Sequence, residues 1–543
     1  MKAKMGKTLE KQIYIYDTTL RDGTQGAEVN FTVADKLRIA QKLDELGIHY
    51  IEGGWPSANP KDLVFFQELS ALGLKNSQLV AFGSTCRKNL SPSQDPQVKE
   101  LTMLPVKYVA VVGKTWEFHI QEVLKINLKE NLRMIRETIE YFCSHNKKVF
   151  FDAEHFFDGY KRSHSYALDC IAEAVEAGAE VVCLCDTNGG AMPEEVKTAF
   201  AEIVQLFPIL LSIHTHNDCG LAVANSLLAV EQGAQIVQGT INGFGERCGN
   251  ADLCVLIPDL MLKMNYQVIA ETNLKKLREA SHLVWELTNR PPDNHQPYVG
   301  DSAFAHKGGQ HIDAVLKNPK TYEHIEPAKV GNRRRILISD QAGKSTILYK
   351  SSELGVRLNR HNPMVRKVLD EIKKLEMQGY QFDGAEASFE LLLKKARGKK
   401  KTYFTFKGFR VIDEKRAEDP VPRVEATIMV EGPGGVEHSA AEGVGPVNAL
   451  DNALRKALEH FFPQLKEVRL IDYKVRVLPA GIGTASQVRV LIESTDGEER
   501  WGTVGVSDNI IEASWQALID SIDYKLYKDE KKRRARKKNK PGK

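Results

Sequence analysis

Between residues 12 and about 265, short apolar runs alternate with amphipathic stretches of helical period, and they do so eight times. Strand candidates begin near Ile13, Tyr50, Gln78, Val106, Lys148, Glu180, Leu210 and Gln235. Helical patterns lie between them, among them Val33–Leu46, Leu124–His145, Ser165–Ala177, Pro193–Leu206 and Leu221–Gln232. Eight strand–helix units in a segment of this length match the size and rhythm of an α/β protein of the (β/α)8 TIM-barrel type. A doubly wound open sheet is the rival architecture, but it needs no eight regular repeats.

In a barrel the C-terminal ends of the strands share one face, and the chemistry gathers there. Polar clusters at Asp17–Gln25, Asp152–His155, Asp186–Asn188 and His214–Asp218 all fall at such ends. The stretch His214-Thr215-His216 follows the apolar run Ile209–Ile213. Side chains two apart on a strand share a face, so both imidazoles can address one ion. The run Ile13–Tyr16 leads into Asp17–Gly23, which sets a carboxylate beside the fixed cation of Arg21. An Asp with two His leaves open positions on a divalent metal, as a catalytic centre requires and a structural one does not.

From about 266 to 400 the alternation gives way to polar helical patterns, and Ala396–Lys401 reads as a linker. The segment from about 403 to 527 contains a repeat: a shift of 61 lays Asn448-Ala449-Leu450-Asp451 on Asn509-Ile510-Ile511-Glu512. Each copy has a Gly-containing hairpin before it and an apolar helix after it, so two ββα-type units with pseudo-twofold symmetry are expected. The resulting division is a catalytic barrel over 12–280, helical linker subdomains over 281–400, a duplicated α+β domain over 401–527 and a basic disordered tail over 528–543. Such a duplicated domain suits dimerisation or a ligand at a symmetric seam; an inert scaffold is the alternative.

The net charge of +4 is carried by that tail: from Lys525 onward eleven Lys and Arg face two acids, leaving a mildly acidic body. Such a body argues against a nucleic-acid surface, and the tail reads as a solvated end. No apolar run is long enough to span a membrane and no apolar segment follows Met1–Lys4, so a soluble, cytoplasmic protein is expected. The eight cysteines form no C-x-x-C, and Cys183 and Cys185 read as small apolar filler on a buried strand.

Three segments, Asp17–Gln25 (DTTLRDGTQ), His214–Asn225 (HTHNDCGLAVAN) and Gly243–Asn250 (GFGERCGN), resemble the metal-dependent TIM-barrel acyltransferases and lyases. That family includes the 2-isopropylmalate, homocitrate and citramalate synthases and hydroxymethylglutaryl-CoA lyase. His306–Lys317 looks like the synthases' linker subdomain and 403–527 like their C-terminal regulatory domain, which the lyases lack. Within the family the citramalate branch is most similar. Asp22-Gly23-Thr24-Gln25-Gly26 stands where isopropylmalate enzymes usually read D-G-E-Q-S, and Glu52–Lys61 and Trp116–His119 also resemble that branch.

The resemblance implies a Claisen condensation of acetyl-CoA with pyruvate and water to (R)-citramalate and CoA. The alternatives are a larger 2-oxo acid, as in isopropylmalate or homocitrate synthesis, or C–C lysis. It implies Asp22, His214 and His216 as ligands of Mn²⁺ or Mg²⁺, with Zn²⁺ also compatible, and Asn250 as a fourth ligand or a plain turn residue. Arg21 would face the developing oxyanion or pair with a barrel carboxylate, and both roles can hold together. Thr187 would donate to the substrate carboxylate or cap the following turn. The proton from the thioester methyl goes to Glu154, to His311 or to an activated water, with Tyr322 accompanying His311 in the family's linker motif. Isoleucine at the repeat domain and a homodimer complete the expectation; the Gly434-Gly435 and Gly481–Ala485 loops would offer backbone N–H groups to its carboxylate or be plain hairpin turns.

Overall fold

The computed structural model describes residues 12–398, 401–478 and 486–538. They divide into two compact units, residues 12–304 with Glu323–Arg334, and Ala305–Tyr322 with residues 335–538. Among the described residues no helix is long and apolar enough to cross a membrane.

The first unit is the eight-stranded parallel barrel. Its strands are β1 (Tyr14–Asp17), β2 (Tyr50–Glu52), β3 (Gln78–Ser84), β4 (Tyr108–Lys114), β5 (Lys148–Glu154), β6 (Val181–Asp186), β7 (Leu210–Thr215) and β8 (Ile236–Gly239). β8 pairs back onto β1, with Tyr14 opposite Ile236, and closes the sheet. Both faces of such strands are buried, so the period of two sorts side chains between two cores rather than between core and solvent. Ile15, Ile51, Val109 and Phe151 pack outward against the helices, whereas Tyr16, Val80, Ala110 and Phe150 fill the barrel. Phe150 meets Tyr16 and Tyr50 at ring distances of 5.3 and 5.1 Å. This aromatic plug makes the lower barrel solid and confines open space to the upper end.

The helices follow local signals. Val33–Leu46 opens on a capping box between Thr32 and Asp35 and stops at Gly47, whose φ of 90° favours glycine. The pattern over Leu124–His145 implies one helix, but the chain breaks there. A π turn over Ile120–Leu124 ends at Lys125 (φ 53°), and the Asn127 side chain caps a new helix, Leu128–Ser144. A cap competes well with continuation when it satisfies otherwise orphaned N–H groups.

The helical linker subdomains expected over 281–400 have their contacts in both units. The helix Leu277–Leu287 buries Val284 and Trp285 in the barrel unit, where Trp285 meets the Phe244 ring at 4.7 Å. Glu323 and Arg334 pair within that same unit at 2.5 and 2.7 Å. Ala305–His306 instead pairs in parallel with Arg335–Ile336 inside the second unit.

The repeat is present, but each copy is βββα rather than ββα. Thr405–Glu414, Arg423–Gly432 and Gly435–Gly443 precede the helix Pro446–Glu459. Arg469–Val477, Val488–Thr495 and Arg500–Ser507 precede the helix Ile510–Lys538. The leading strands, Thr405–Glu414 and Arg469–Val477, bury none of their residues fully. The tail expected to be disordered from 528 is helical to Lys538. Lys525 and Lys528 reach the Asp496 carboxylate at 3.1 and 2.7 Å, and Lys528 lies 4.5 Å over the Trp501 ring. These basic residues fasten the helix to a hairpin turn instead of dissolving its end.

Candidate active site

The loop leaving β1 is folded by its own carboxylate. Asp17 accepts from the Thr19 backbone N–H and hydroxyl at 2.9 and 2.8 Å, and the tight turn carries Arg21 and Asp22 over the barrel mouth. At the end of β2, buried Glu52 accepts from the Tyr16 hydroxyl (2.7 Å), the Thr18 hydroxyl (2.5 Å) and Arg21 Nε (2.7 Å). The guanidinium of Arg21 also lies 4.0 Å over the Phe82 ring. Its charge is held at one place by a carboxylate and an aromatic face.

Asp22 is the hub of the cluster. Its Oδ2 lies 3.2 Å from His214 Nε2 and 3.8 Å from His216 Nε2, and it accepts from Asn250 Nδ2 at 2.8 Å. The two Nε2 atoms are 3.2 Å apart. His214 Nδ1 faces Gln238 Oε1 at 3.0 Å, while Gln238 Nε2 donates to Asp152 Oδ1 at 3.1 Å. That chain of bonds fixes Nδ1 of His214 as the donor and aims the lone pair of Nε2 at the cluster. Burial works to raise the Asp22 carboxyl, but the Arg21 charge and the His214 hydrogen bond override it and hold it well below the usual range. Burial and the neighbouring His214 push His216 down to about 3, so its ring is neutral.

These residues fit a divalent cation. One carboxylate oxygen and two imidazole nitrogens lie mutually within 4.8 Å. Two buried atoms beside them, Asn250 Oδ1 and His216 Nδ1, have no hydrogen-bond partner. The approach of Asn250 depends on two glycines: a Cβ on Gly245 would stand 2.0 Å from Asn250 Oδ1, and Gly249 turns at φ +87°.

Arg21, Asp22, Glu154, Thr187, His214 and His216 all line one cavity of about 820 Å³. Glu154, ending β5, pairs with Lys114, ending β4. Thr187 accepts from the His155 backbone N–H at 2.9 Å, bracing a residue held at φ 57°. It does not cap the following turn: Asp186 does, accepting from Gly190 and Ala191 N–H at 3.2 and 3.1 Å. His311 and Tyr322 belong to the second unit, where their rings stack at 4.1 Å. Thr24 makes a local bond to the Arg21 carbonyl at 2.6 Å. The Gly481–Ala485 loop lies outside the described residues.

Sequence reasoning missed Glu52, Gln238 and the role of Asp152. Each is a polar residue in or ending an apolar barrel strand. That was the available signal, because burying such a group is costly unless it is paired.

Comparison with known proteins agrees with this geometry. A family profile described as HMGL-like matches residues 12–284, one described as homocitrate synthase post-HMGL domain-like matches 298–380, and the LeuA allosteric (dimerisation) domain matches 383–526. The chain is 56% identical to a protein of Geobacter sulfurreducens named (R)-citramalate synthase, over 95% of this chain and 98% of that one. It is 54% identical to the Aquifex aeolicus protein of the same name, over 96% and 99% of the two chains. The Synechocystis protein of that name is 49% identical over 96% and 97%.

Proposed function

Because the chain belongs to the HMGL-like family of enzymes, among relatives named (R)-citramalate synthase, we propose that it condenses acetyl-CoA with pyruvate and water to (R)-citramalate and CoA. The observation that carries this reading is the convergence of Asp22, His214 and His216 beside a clamped Arg21 in one cavity.

Asp22, His214 and His216 would hold the divalent metal, with the amide oxygen of Asn250 as a fourth donor. When bound, that ion supplies Lewis-acid polarisation of a 2-oxo acid's ketone. Mn²⁺ and Mg²⁺ are the ions the family resemblance favours, and Zn²⁺ also suits the donors.

Arg21 meets the negative charge that develops on oxygen as the new C–C bond forms. Glu52 holds it there before substrate arrives, so no reorganisation is required at that moment; a positioned donor of this kind contributes roughly 3–4 kcal/mol. Thr187 retains its own hydroxyl proton while accepting from His155, and that proton serves the substrate carboxylate. Glu154 takes a proton from the thioester methyl, with Lys114 orienting it; His311, with Tyr322, is the second candidate on the linker resemblance. Phe82 and Trp55, edge to face at 5.3 Å, line the cavity beside Arg21 and limit the alkyl group that fits there.

The repeat domain would bind isoleucine as an end-product inhibitor and join two chains in a homodimer. Support comes from the LeuA allosteric (dimerisation) match over 383–526.

Thiol release from acetyl-CoA with pyruvate, 2-oxobutyrate, 2-oxoisovalerate and 2-oxoglutarate offered separately tests the reading. Pyruvate is expected to lead. Preference for 2-oxoisovalerate or 2-oxoglutarate would move the enzyme to isopropylmalate or homocitrate chemistry, and no release would leave a lyase.

A further inference from the structure

Beneath the Asp22 cluster the barrel holds a second group of metal-binding side chains, contributed by β5 and β6. Asp152 and Cys183 are register partners across these strands, and Cys185 is two residues further along β6 on the same face. The Sγ atoms of Cys183 and Cys185 lie 3.9 Å apart. Two thiolates at tetrahedral angles on a cation with metal–sulfur bonds of about 2.3 Å stand about 3.8 Å apart. One oxygen of Asp152 completes a triad whose ligand atoms lie mutually within 4.8 Å. No other such group containing sulfur occurs among the described residues.

The triad is not sealed. Cys185 and Asp152 line the same cavity as Arg21 and His214, so an ion entering the mouth can reach it. Three protein ligands leave a fourth position facing that cavity, the pattern of an open zinc site. Soft thiolates beside one carboxylate select Zn²⁺ or Cd²⁺ over Mg²⁺ or Mn²⁺, whereas the Asp22 cluster offers no sulfur.

We propose that Asp152, Cys183 and Cys185 form a second, thiophilic metal site whose occupation inhibits the enzyme. Binding releases the two thiol protons to solvent and involves no electron transfer. Asp152 connects the two sites. A cation on the Asp152 carboxylate competes for the charge that Gln238 Nε2 now meets at Oδ1, 3.1 Å away, and so loosens the orientation Gln238 imposes on His214. Loss of such outer partners typically costs about 10–100-fold in metal affinity or activity. The binding half of the proposal is independent of the condensation reading, because its readout is spectroscopic.

The test uses the full chain with Cys219→Ser and Cys248→Ser, which removes the two exposed thiols. Cd²⁺ is titrated in the presence of saturating Mg²⁺ while thiolate-to-cadmium charge-transfer absorption is followed. The band is expected to saturate at one Cd²⁺ per chain and to vanish in Cys185→Ser and, as an independent check, in Cys183→Ala. Thiol release from acetyl-CoA is expected to fall about tenfold in the parent at that stoichiometry. Absence of the band in the folded parent, or a band that survives both substitutions, would overturn the site. A full band with turnover unchanged would overturn its inhibitory coupling.

Discussion

Arg21 Nε donates to Glu52 Oε2 at 2.7 Å, joining the loop after β1 to the end of β2. Thirty-one positions separate the two residues, and only the neighbouring of β1 and β2 in the closed sheet brings them together. Glu52 is wholly buried and also accepts from Tyr16 and Thr18, so the carboxylate that holds the Arg21 guanidinium is itself fixed in place.

Glu52→Gln keeps the shape and removes the charge that holds the guanidinium. The kcat for thiol release is expected to fall about 10²-fold with KM for acetyl-CoA little changed, since a misplaced oxyanion donor is lost mainly in the transition state. Steady-state kinetics beside a melting curve separates this from unfolding. An unaltered kcat in a folded variant would remove Arg21 positioning from the account.

Gln238→Leu deletes the partner of His214 Nδ1 and leaves Asp22, His214, His216 and Asn250 themselves unsubstituted. Affinity for Mn²⁺, measured by calorimetric titration of the full chain, is expected to drop about 10–100-fold. Unchanged affinity would mean that His214 needs no external orientation.

Phe82→Leu cuts back the wall under Arg21 and beside Trp55 and enlarges the pocket there. The ratio of kcat/KM for 2-oxobutyrate over pyruvate is expected to rise about tenfold, the scale of one methylene in an apolar pocket. A ratio that stays constant while both values fall would assign Phe82 to Arg21 alone.

Burial raises Asp252 to about 6 from the usual 3.8, against hydrogen bonds from Gln296 and Cys254. The folded chain therefore holds this proton where the unfolded chain has released it. Its contribution to stability is full below about pH 4, declines as pH rises toward 6 and is flat above, a loss on the order of 3 kcal/mol. Asp252→Asn keeps the cap on the following helix and removes the titration. Urea midpoints over pH 4–7 should fall less steeply in the variant than in the parent; parallel slopes would place the proton elsewhere.

Much of this was legible in sequence because it is periodic. All eight barrel strands begin within two residues of the expected positions, and Val33–Leu46 and Pro193–Leu206 carry their own start signals in Thr32 and Pro193. The spacing of His214, in β7, and His216, just past its end, brings both rings to the same side, and both approach Asp22. What escaped depends on closure or on solvent. Glu52 ends a strand of three residues and acquires meaning only from the adjacent β1. The leading strand of each repeat buries none of its residues fully and is held in its sheet by antiparallel pairing with the next strand. The basic helix beyond Lys525 looked like a solvated tail, because its partner Asp496 lies in a hairpin of the preceding sheet.

The most direct test of the central claim follows thiol release from acetyl-CoA with pyruvate, using the metal-loaded full chain and its His214→Ala variant side by side. The account predicts sustained release yielding citramalate in the parent, abolition by a chelator with recovery on Mn²⁺ or Mg²⁺, and loss of at least about 10²-fold in the variant. Equal release by the variant, or release indifferent to the chelator, would contradict the claim that the Asp22–His214–His216 cluster is where the condensation occurs.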